Sequence, residues 1–483
     1  MGHTEPLLSL RTFIEDVEKA GELRHVRGAH WDLEIGAIAE LSYRLPHPPA
    51  LLFDEIADYG PGLRVLTGST GSPARLGRTL RLGADLDDKE LVAALRGKPS
   101  QWEAAAAHSL TRVVDDAPLL ANQATGDDVD LLRFPVPRWH SRDGGRFVGT
   151  GCFVVTSDPD TGAVNGGCYR MQVQEDGRTT TIAAVPGKHG ALNIDRWFER
   201  EGRAPVTVSF GHDPLLLVLG GTEVPAGISE LDYAGAVLGE PVPVLQGEET
   251  GLPIPAGSEI AVEGWLYPDD TATEGPFGEW TGYYAGSPRP APNLRISRMW
   301  WRDDPIQLGA PPGKPPHDYS YMRTMFKSAL IEDQLVSLGV PGVTGAWAHE
   351  AGGGRLFIAV SIDQRYPGHV RQAGLLASQV PAAAYMNRYV VVVDADIDVA
   401  DLGEIVWAMS TRSDPATDIT TFDRGWASKL DPMLPPDSPS FNSRAVIDAC
   451  VPWERRGSFA KVAQSDPDHL AAVAAKWSGV LYG

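Results

Sequence analysis

The spacing of apolar residues predicts a small α/β unit at the start of the chain. A helix is expected over residues 10–20, with Ser9 as its cap. One face of this helix would hold four apolar residues: Leu10, Phe13, Ile14 and Val17. A second helix over 33–43 and apolar strands over 51–53 and 65–68 complete the unit.

The middle third has a different pattern, with short apolar runs separated by turn residues. The turn Asp158-Pro159-Asp160-Thr161-Gly162 follows the first run and predicts a hairpin. Strands are expected at four of these runs: 152–156, 206–210, 215–219 and 260–266. This part is therefore predicted to be β-rich and to form a barrel or split barrel.

The last third returns to alternating helices and strands. After the Pro-rich stretch 311–316, a helix is expected over 319–338. Strands over 356–361 and 389–393 then alternate with helices over 370–379 and 401–409, and residues 414–441 are expected to form a long ordered loop.

These patterns predict an α+β multidomain fold in which a barrel-like (split-barrel) domain lies between two α/β parts. We divide the chain into an N-terminal α/β unit (1–120), a β-rich domain (121–310), a linker with a helix (311–340) and a C-terminal α/β domain (341–483).

Composition narrows the functional classes. A formal net charge of -21 argues against nucleic-acid binding, which needs clustered Lys and Arg. The three cysteines form no CxxC pair, and neither a targeting segment nor a membrane-length apolar stretch is visible. We therefore expect a soluble, cytoplasmic protein.

Several familiar motifs can be set aside. The glycines at 68–71 and 352–354 lack Rossmann and Walker spacing and are expected to be plain turns. The chain has no GxSxG elbow and no HExxH motif, which removes ordinary serine-hydrolase and zincin chemistry. His349 and Glu350 are an isolated pair, expected to form a surface contact.

Three motifs in the β-rich domain combine residues that can carry chemistry. They are Asn165-Gly166-Gly167-Cys168-Tyr169-Arg170, Gly227-Ile228-Ser229-Glu230 and Glu274-Gly275-Pro276-Phe277-Gly278-Glu279, with Pro186-Gly187-Lys188-His189-Gly190 between the first two. Taken singly, each has an ordinary explanation: a structural Arg170, a hydrogen-bonded His189, or a surface loop with two acids. Spacing alone gives only a weak indication of acid/base chemistry.

Together, these motifs resemble the signature of UbiD-like decarboxylases in their order and separation. The resemblance continues outside the β-rich domain, so that it covers nearly the whole chain. The further similar segments are 10–23, 394–398, 406–408, 411–415 and 443–448.

The resemblance implies a prenylated FMN cofactor and a divalent ion. By position, Asn165, His189 and Glu230 match the family's metal ligands. In the family, the bound Mn²⁺ or Mg²⁺ connects these ligands to the cofactor phosphate. The resemblance allows K⁺ as a further ion. An amide oxygen, an imidazole and a carboxylate suit such a metal. The residues that the resemblance assigns to cofactor binding are Asn165, Arg170, Lys188, His189, Glu230 and Arg388, and Arg412 is a further basic candidate. At Arg388 the family pattern leads us to expect Lys.

The resemblance also implies the reaction. Arg170, Glu274 and Glu279 match the family's catalytic set, in which the cofactor undergoes cycloaddition with an unsaturated or (hetero)aromatic acid, CO2 is lost and Glu279 donates a proton. Arg170 would hold both acids by forked hydrogen bonds. His317 is a candidate for substrate contact or for a loop hydrogen bond.

Three other functions stay open at this stage: a carboxylase that runs the reaction in reverse, a non-catalytic flavin- or metal-binding relative, and a metal hydrolase built on His189 and Glu230. The implied partners are a small unsaturated acid, a flavin prenyltransferase that supplies the cofactor, and further copies of the chain in a homodimer or larger homo-oligomer. No nucleic-acid or membrane partner is expected, and the sequence does not identify the substrate acid.

Overall fold

The structure is a computed structural model that describes residues 5–6, 8–184, 187–222, 224, 227–284, 286–435 and 437–481. The fold is mixed α+β, and the described strands form four sheets. Within the described residues, no helix is both long enough and apolar enough to cross a lipid bilayer.

The first part of the chain folds as helices around a small sheet. Its elements are α1 (Leu10–Lys19), β1 (Leu23–Arg27), α2 (Glu34–Tyr43), β2 (Ala50–Asp54), β3 (Arg64–Thr67), α3 (Pro73–Thr79), α4 (Asp88–Leu95) and α5 (Lys98–Ala106). The predicted helices and strands are all present, and the Ser9 side chain caps α1 by accepting a hydrogen bond from Arg11 N–H.

The middle of the chain is β-rich, as predicted. It contains β4 (Thr111–Val113), β5 (Asn122–Thr125), β6 (Cys152–Ser157), β7 (Val164–Gly167), β8 (Thr179–Thr181), α6 (His189–Glu201), β9 (Ala204–Phe210), α7 (Pro214–Gly221), α8 (Glu230–Leu238), β10 (Val242–Gln246), β11 (Pro253–Pro255), β12 (Ile260–Leu266), β13 (Thr271–Glu274), β14 (Arg289–Trp301) and β15 (Ile306–Leu308).

An eight-stranded sheet dominates this middle part. Its path runs β13-β14-β12-β9-β6-β7, with β5 and β8 also paired to β14. The predicted hairpin is present, because β6 and β7 pair in antiparallel register across the turn at 158–162. Among the described strands this path is open, and closure into a barrel remains a prediction.

One middle strand belongs to the sheet of the first part. β15 pairs in parallel with β3, which gives the order β1-β2-β3-β15. A small third sheet has the order β11-β10-β4. Two of the four sheets therefore contain strands from both sides of residue 120.

The prediction of a strand at 215–219 is wrong. These residues form the centre of α7, which is buried along its length and therefore shows no amphipathic period. Asp213 caps the helix by accepting from Leu215 N–H, and Pro214 occupies its first turn. The helix-start signal outweighed the strand-like apolar run.

The last part contains α9 (Asp318–Ser337), β16 (Val343–Ala348), β17 (Phe357–Ile362), α10 (His369–Ala377), α11 (Pro381–Ala384), β18 (Tyr389–Asp394), α12 (Leu402–Arg412), β19 (Ile419–Trp426), β20 (Phe441–Ala449), α13 (Pro467–Lys476) and α14 (Ser478–Leu481). The sheet order is β16-β17-β18-β20-β19, with β17, β18 and β20 parallel. The long loop predicted over 414–441 is wrong in part, because β19 lies within it and pairs antiparallel with β20.

The C-terminal arm, which we define as residues 457–481, differs from the rest of the chain. It includes α13 and α14 and has no buried residue. Large apolar side chains along it are nevertheless exposed: Leu470, Trp477, Val480 and Leu481. A helix of ten residues gains little stability without packing, so the arm has a surface suited to a partner.

Candidate active site

Arg170, Glu274 and Glu279 come together in a buried cluster. Arg170 follows β7, Glu274 ends β13, and Glu279 lies in the loop after β13. The Nε and Nη2 groups of Arg170 donate to the two carboxylate oxygens of Glu274 at 2.5 and 2.9 Å, and its Nη1 donates to Glu279. The side chains are 14%, 1% and 10% exposed, respectively, so little water competes for these contacts.

Close backbone packing fixes the turn that carries the two acids. Gly275 N–H donates to Gln172 Oε1 at 2.8 Å, and Gly144 N–H donates to the Pro276 carbonyl at 2.8 Å. A Cβ on Gly144 would lie 1.9 Å from the Gly275 carbonyl oxygen, so only glycine fits there. Phe277 packs on Phe147 with ring centroids 4.1 Å apart. The turn therefore holds one acid on each side of Arg170.

Burial and the neighbouring charges act in different directions on the pKa of Glu279. Burial raises the pKa of the Glu279 carboxyl; the charge of Arg170 opposes this rise, and that of Glu274 adds to it. Burial disfavours the charged form of Arg170, but the ion pairs with Glu279 and Glu274 outweigh it and raise the pKa of the guanidinium. Arg170 is the cation that contacts both carboxylates, and the more exposed Arg289 lies with its Nε 3.8 Å from Glu274. The arrangement can act as a general acid.

Asn165 and Glu230 form a second buried contact near the end of the same hairpin. Glu230 opens α8 behind its cap Ser229 and is 5% exposed. Its carboxylate accepts from Asn165 Nδ2 at 3.1 and 3.3 Å and from Gly166 N–H at 2.6 Å. Burial raises the pKa of Glu230 to about 7, although the Gly166 N–H stabilises the ionised form.

This contact has the chemistry of a site for a hard cation. Within the described part of the chain, no Lys or Arg forms an ion pair with Glu230, so its buried charge lacks a cationic partner. The Asn165 amide oxygen accepts from Tyr169 Oη at 3.3 Å and provides a second oxygen close by. Carboxylate and amide oxygens are ligands that Mn²⁺ and Mg²⁺ prefer, so these two residues fit the implied metal.

His189 is the least constrained of the predicted ligands. It is exposed at the first position of α6, and no hydrogen bond joins it to the equally described Asn165 or Glu230. No group of three or more His, Cys, Asp or Glu side chains suited to a metal occurs among the residues that the structure describes. A metal centre here would need the Asn165 oxygen in addition to His189 and Glu230.

Lys188 lies beside His189 and faces aromatic side chains of the last part of the chain. Its Nζ is 5.4 Å from the ring centroid of Tyr385 and 5.7 Å from that of Trp426. Among the described residues no side chain caps the start of α6, so the N–H groups of its first turn can receive an anion. Pro186 of the same motif lies outside the described residues.

Two other basic candidates are held by acids of the C-terminal part. Arg388 donates to Asp431, which is 1% exposed. Arg412 donates to Asp394 at 3.0 Å and forms a fork on Asp396 at 2.8 and 2.7 Å. The structure does not bring either residue to the Arg170 cluster by a direct contact.

His317 has a defined structural role. It is the N-cap of α9, where its Nδ1 accepts from Ser320 N–H at 3.3 Å and its own backbone N–H donates to Ser320 Oγ at 2.8 Å.

The expectation of a surface contact at His349 and Glu350 is wrong. His349 is 5% exposed, and Glu350 accepts from Ser320 Oγ at 2.7 Å, because both lie beneath the start of α9.

Sequence reasoning missed Trp280, the arginines Arg323 and Arg355 near its ring, and Tyr385, which lies beside Arg355. Trp280 is 6% exposed and has both Arg323 and Arg355 near its ring. Trp280 could have been noticed because it directly follows Glu279. Arg323 and Arg355 lie on separate elements with no shared motif, so no local signal marked them.

Models of one known protein family match most of this chain. Three family models described as the N-terminal, Rift-related and C-terminal domains of 3-octaprenyl-4-hydroxybenzoate carboxy-lyase match residues 14–95, 112–315 and 320–449. Pyrrole-2-carboxylic acid decarboxylase of Pseudomonas aeruginosa is 31% identical, with 99% of both chains covered. The chain belongs to the UbiD family. It is therefore a carboxy-lyase.

Other UbiD-family proteins match over similar lengths. Phenolic acid decarboxylase of a Streptomyces species is 29% identical, with 98% of this chain and 97% of that protein covered. The UbiD-class enzyme HmfF of Pelotomaculum thermopropionicum in complex with FMN superimposes with a TM-score of 0.82 at 25% identity, covering 96% and 99% of the two chains. An evolved dimeric form of HmfF in complex with prenylated FMN gives a TM-score of 0.79 at 25% identity, covering 95% and 97%.

Proposed function

We propose that this UbiD-family carboxy-lyase removes CO2 from an aromatic or heteroaromatic carboxylic acid, using prenylated FMN and a divalent metal ion. The observation that carries the proposal is the buried bridge of Arg170 between Glu274 and Glu279. The relatives named as pyrrole-2-carboxylic acid and phenolic acid decarboxylases support this class of substrate.

The side chains of the cluster supply charge and a proton. Arg170 orients Glu279 and attracts the substrate carboxylate, and Glu274 fixes Arg170 through both of its oxygens. Glu279 then donates its proton to the carbon that has lost CO2, which its raised pKa favours. Burial keeps bulk water from competing with this transfer. When bound, prenylated FMN would accept the electron pair left by CO2, which no side chain of the protein can do.

Asn165, His189 and Glu230 would hold the metal, and the metal would hold the cofactor phosphate. The buried carboxylate of Glu230 supports this role, because no Lys or Arg among the described residues pairs with it and a divalent ion would provide positive charge. Lys188 and the first turn of α6 adjoin His189 and are suited to the phosphate. Arg388 remains a predicted cofactor contact. Its side chain would have to break its ion pair with Asp431 before it could bind the cofactor.

The finer architecture is also a proposal. We infer that the eight-stranded sheet is the split-barrel cofactor domain, and that the division at residues 120, 310 and 340 describes the functional parts.

The exposed apolar side chains of the C-terminal arm support exchange of this arm with a second copy of the chain. A 25-residue arm laid on a partner in each direction buries on the order of 2,000 Å² in total, which is enough for a stable dimer.

A second candidate is carboxylation of the same acids, because Glu279 can also accept the proton that a substrate C–H loses. The direction then depends on the concentrations of CO2 and substrate. A flavin prenyltransferase is the expected source of the cofactor in either direction.

The test is reconstitution of protein produced without a flavin prenyltransferase. We expect this protein to show no turnover as purified, or after addition of plain FMN. After addition of oxidised prenylated FMN and Mn²⁺, we expect it to release CO2. The panel should contain pyrrole, furan, hydroxybenzoic and cinnamic carboxylates. Equal activity with plain FMN would refute the cofactor assignment, and no CO2 from any acid after full reconstitution would refute this substrate class.

A further inference from the structure

A buried glutamine connects the backbone segments that surround the Arg170 cluster. Gln172 lies two residues after Arg170 and is 8% exposed. Its Oε1 accepts from Gly275 N–H at 2.8 Å, and its Nε2 donates to the Gly144 carbonyl at 3.3 Å. Gly144 N–H in turn donates to the Pro276 carbonyl at 2.8 Å. One side-chain amide therefore uses both its donor and its acceptor to join its own segment to two others.

The backbone of Gln172 is itself fixed. Its carbonyl accepts from Thr180 Oγ1 at 2.9 Å and from Thr181 N–H at 3.0 Å. A Cβ on Gly145 would lie 2.6 Å from Gln172 Nε2, so a larger residue there would displace the amide. The amide is therefore a fixed support for the segments that it joins.

The contact with Gly275 lies where the chain leaves the sheet. Glu274 is the last residue of β13 and pairs with Arg289 of β14. Gly275 has a φ of +85°, in the left-handed region that favours glycine. Its N–H belongs to the planar peptide group that follows Glu274. The hydrogen bond from Gln172 therefore fixes the direction in which the turn starts toward Glu279, and its loss would leave a buried donor unpaired.

This direction affects Glu279 more than Glu274. Strand pairing and two hydrogen bonds from Arg170 hold Glu274 in place. Glu279 lies five residues further along and accepts one hydrogen bond from the same guanidinium. Burial raises the pKa of Glu279, and the charge of Arg170 opposes this rise. A longer distance between the two side chains would therefore raise the pKa of Glu279 further.

We propose that Gln172 is a positioning residue for the proton donor: its side-chain amide holds the peptide group after Glu274 and so keeps Glu279 against Arg170. This inference rests on the proposed function, which makes Glu279 the donor. Gln172 acts through the backbone of the turn, whereas Arg170 binds the carboxylates directly. Its effect is on the chemical step and not on the binding of substrate, flavin or metal.

Gln172→Met tests this role, because methionine has a similar length but lacks the amide donor and acceptor. Single-turnover CO2 release by loaded protein should fall about 10- to 100-fold, since a misplacement of about 1 Å is sufficient for such a loss. Flavin content, metal content and the Kd of the acid that the wild type decarboxylates fastest should be unchanged. In Gln172→Glu the loss relative to wild type should shrink as pH falls, because a protonated carboxyl can both accept from Gly275 and donate to Gly144.

A second measurement needs no turnover. Infrared difference spectroscopy of the loaded protein across a pH series follows the carboxyl band that Glu279→Gln removes. We expect this band to titrate at higher pH in Gln172→Met than in the wild type, because Glu279 has moved away from the charge of Arg170. The same shift in protein that releases no CO2 from any acid would support the positioning role and count against the proposed function.

Gln307→Met is the matched control, because Gln307 is buried and its Nε2 donates to the Val148 carbonyl at 3.2 Å, outside the turn. Both Met variants should lower the urea midpoint of unfolding, and Gln307→Met should keep the wild-type rate and the Glu279 titration. An unchanged rate or an unchanged titration in Gln172→Met would overturn the inference, as would an equal loss of rate in Gln307→Met. A loss in Gln172→Glu that does not depend on pH would overturn it too. Loss of flavin or metal from Gln172→Met would assign Gln172 a general structural role and have the same consequence.

Discussion

Replacing Glu279 with glutamine tests the central chemical step with the smallest structural change. The two side chains have the same shape, so packing near Phe277 and the hydrogen bond to Arg170 can be kept in part. Glutamine has no acidic proton and no charge. The substitution therefore removes the proton donor and leaves Arg170 paired with Glu274 alone.

The structure indicates a large effect on rate. The Glu279 side chain is 10% exposed, so few water molecules can reach the same position and replace the acid. General acid catalysis contributes about 10²–10⁴-fold, and limited access to water favours the middle of this range or above. We expect a loss of about 10³-fold in the chemical step, which corresponds to about 4 kcal/mol of activation free energy.

Single-turnover CO2 release by fully loaded protein measures this step directly. In D2O the wild type should place deuterium at the carbon that carried the carboxylate. The wild-type rate should fall as pH rises through the raised pKa of Glu279, because the acid must be protonated to donate. That pH-dependent limb should be missing in Glu279→Gln.

Glu332→Gln provides a control for the loss of a buried carboxylate. Glu332 is 4% exposed and pairs with Arg96 at 2.8 Å, outside the cluster. It should keep wild-type turnover and flavin content. A Glu279→Gln rate within about threefold of the wild type, with the pH limb retained, would refute the assignment of Glu279 as proton donor.

Three further predictions concern metal binding, stability and assembly. Glu230→Ala should lose Mn²⁺ and flavin together, measured by elemental analysis and flavin absorbance; full flavin content without metal would contradict the link. Asp318→Asn should lower the free energy of unfolding by about 2–4 kcal/mol in urea titration, because the buried carboxylate accepts from Tyr43, Gly68 and Thr70, and an amide leaves donors unpaired. Removing residues 457–481 should shift the species seen by light scattering from dimer to monomer, and an unchanged mass would exclude arm exchange.

Much of the fold was determined by local features of the sequence. The start of α1 followed from one apolar face and a serine cap, and the hairpin of β6 and β7 followed from its turn residues. The residues of the Arg170 cluster were identified from motifs and family resemblance. The contacts of Arg170 with both acids were expected from the resemblance and not from any local pattern, because more than 100 residues separate Arg170 from each acid.

Tertiary structure decided the rest. The apolar run at 215–219 is a helix that begins at Asp213 and Pro214, but it is buried on nearly all sides, so its sequence shows neither helical nor strand periodicity. Strand β19 forms because β20 supplies hydrogen-bond partners along its edge. No local sequence pattern predicts this pairing. Arg323 and Arg355 meet at Trp280 because α9 and a glycine turn pack against the same indole. Sequence patterns report backbone preference and burial period, whereas side-chain contacts between distant segments depend on how whole elements pack.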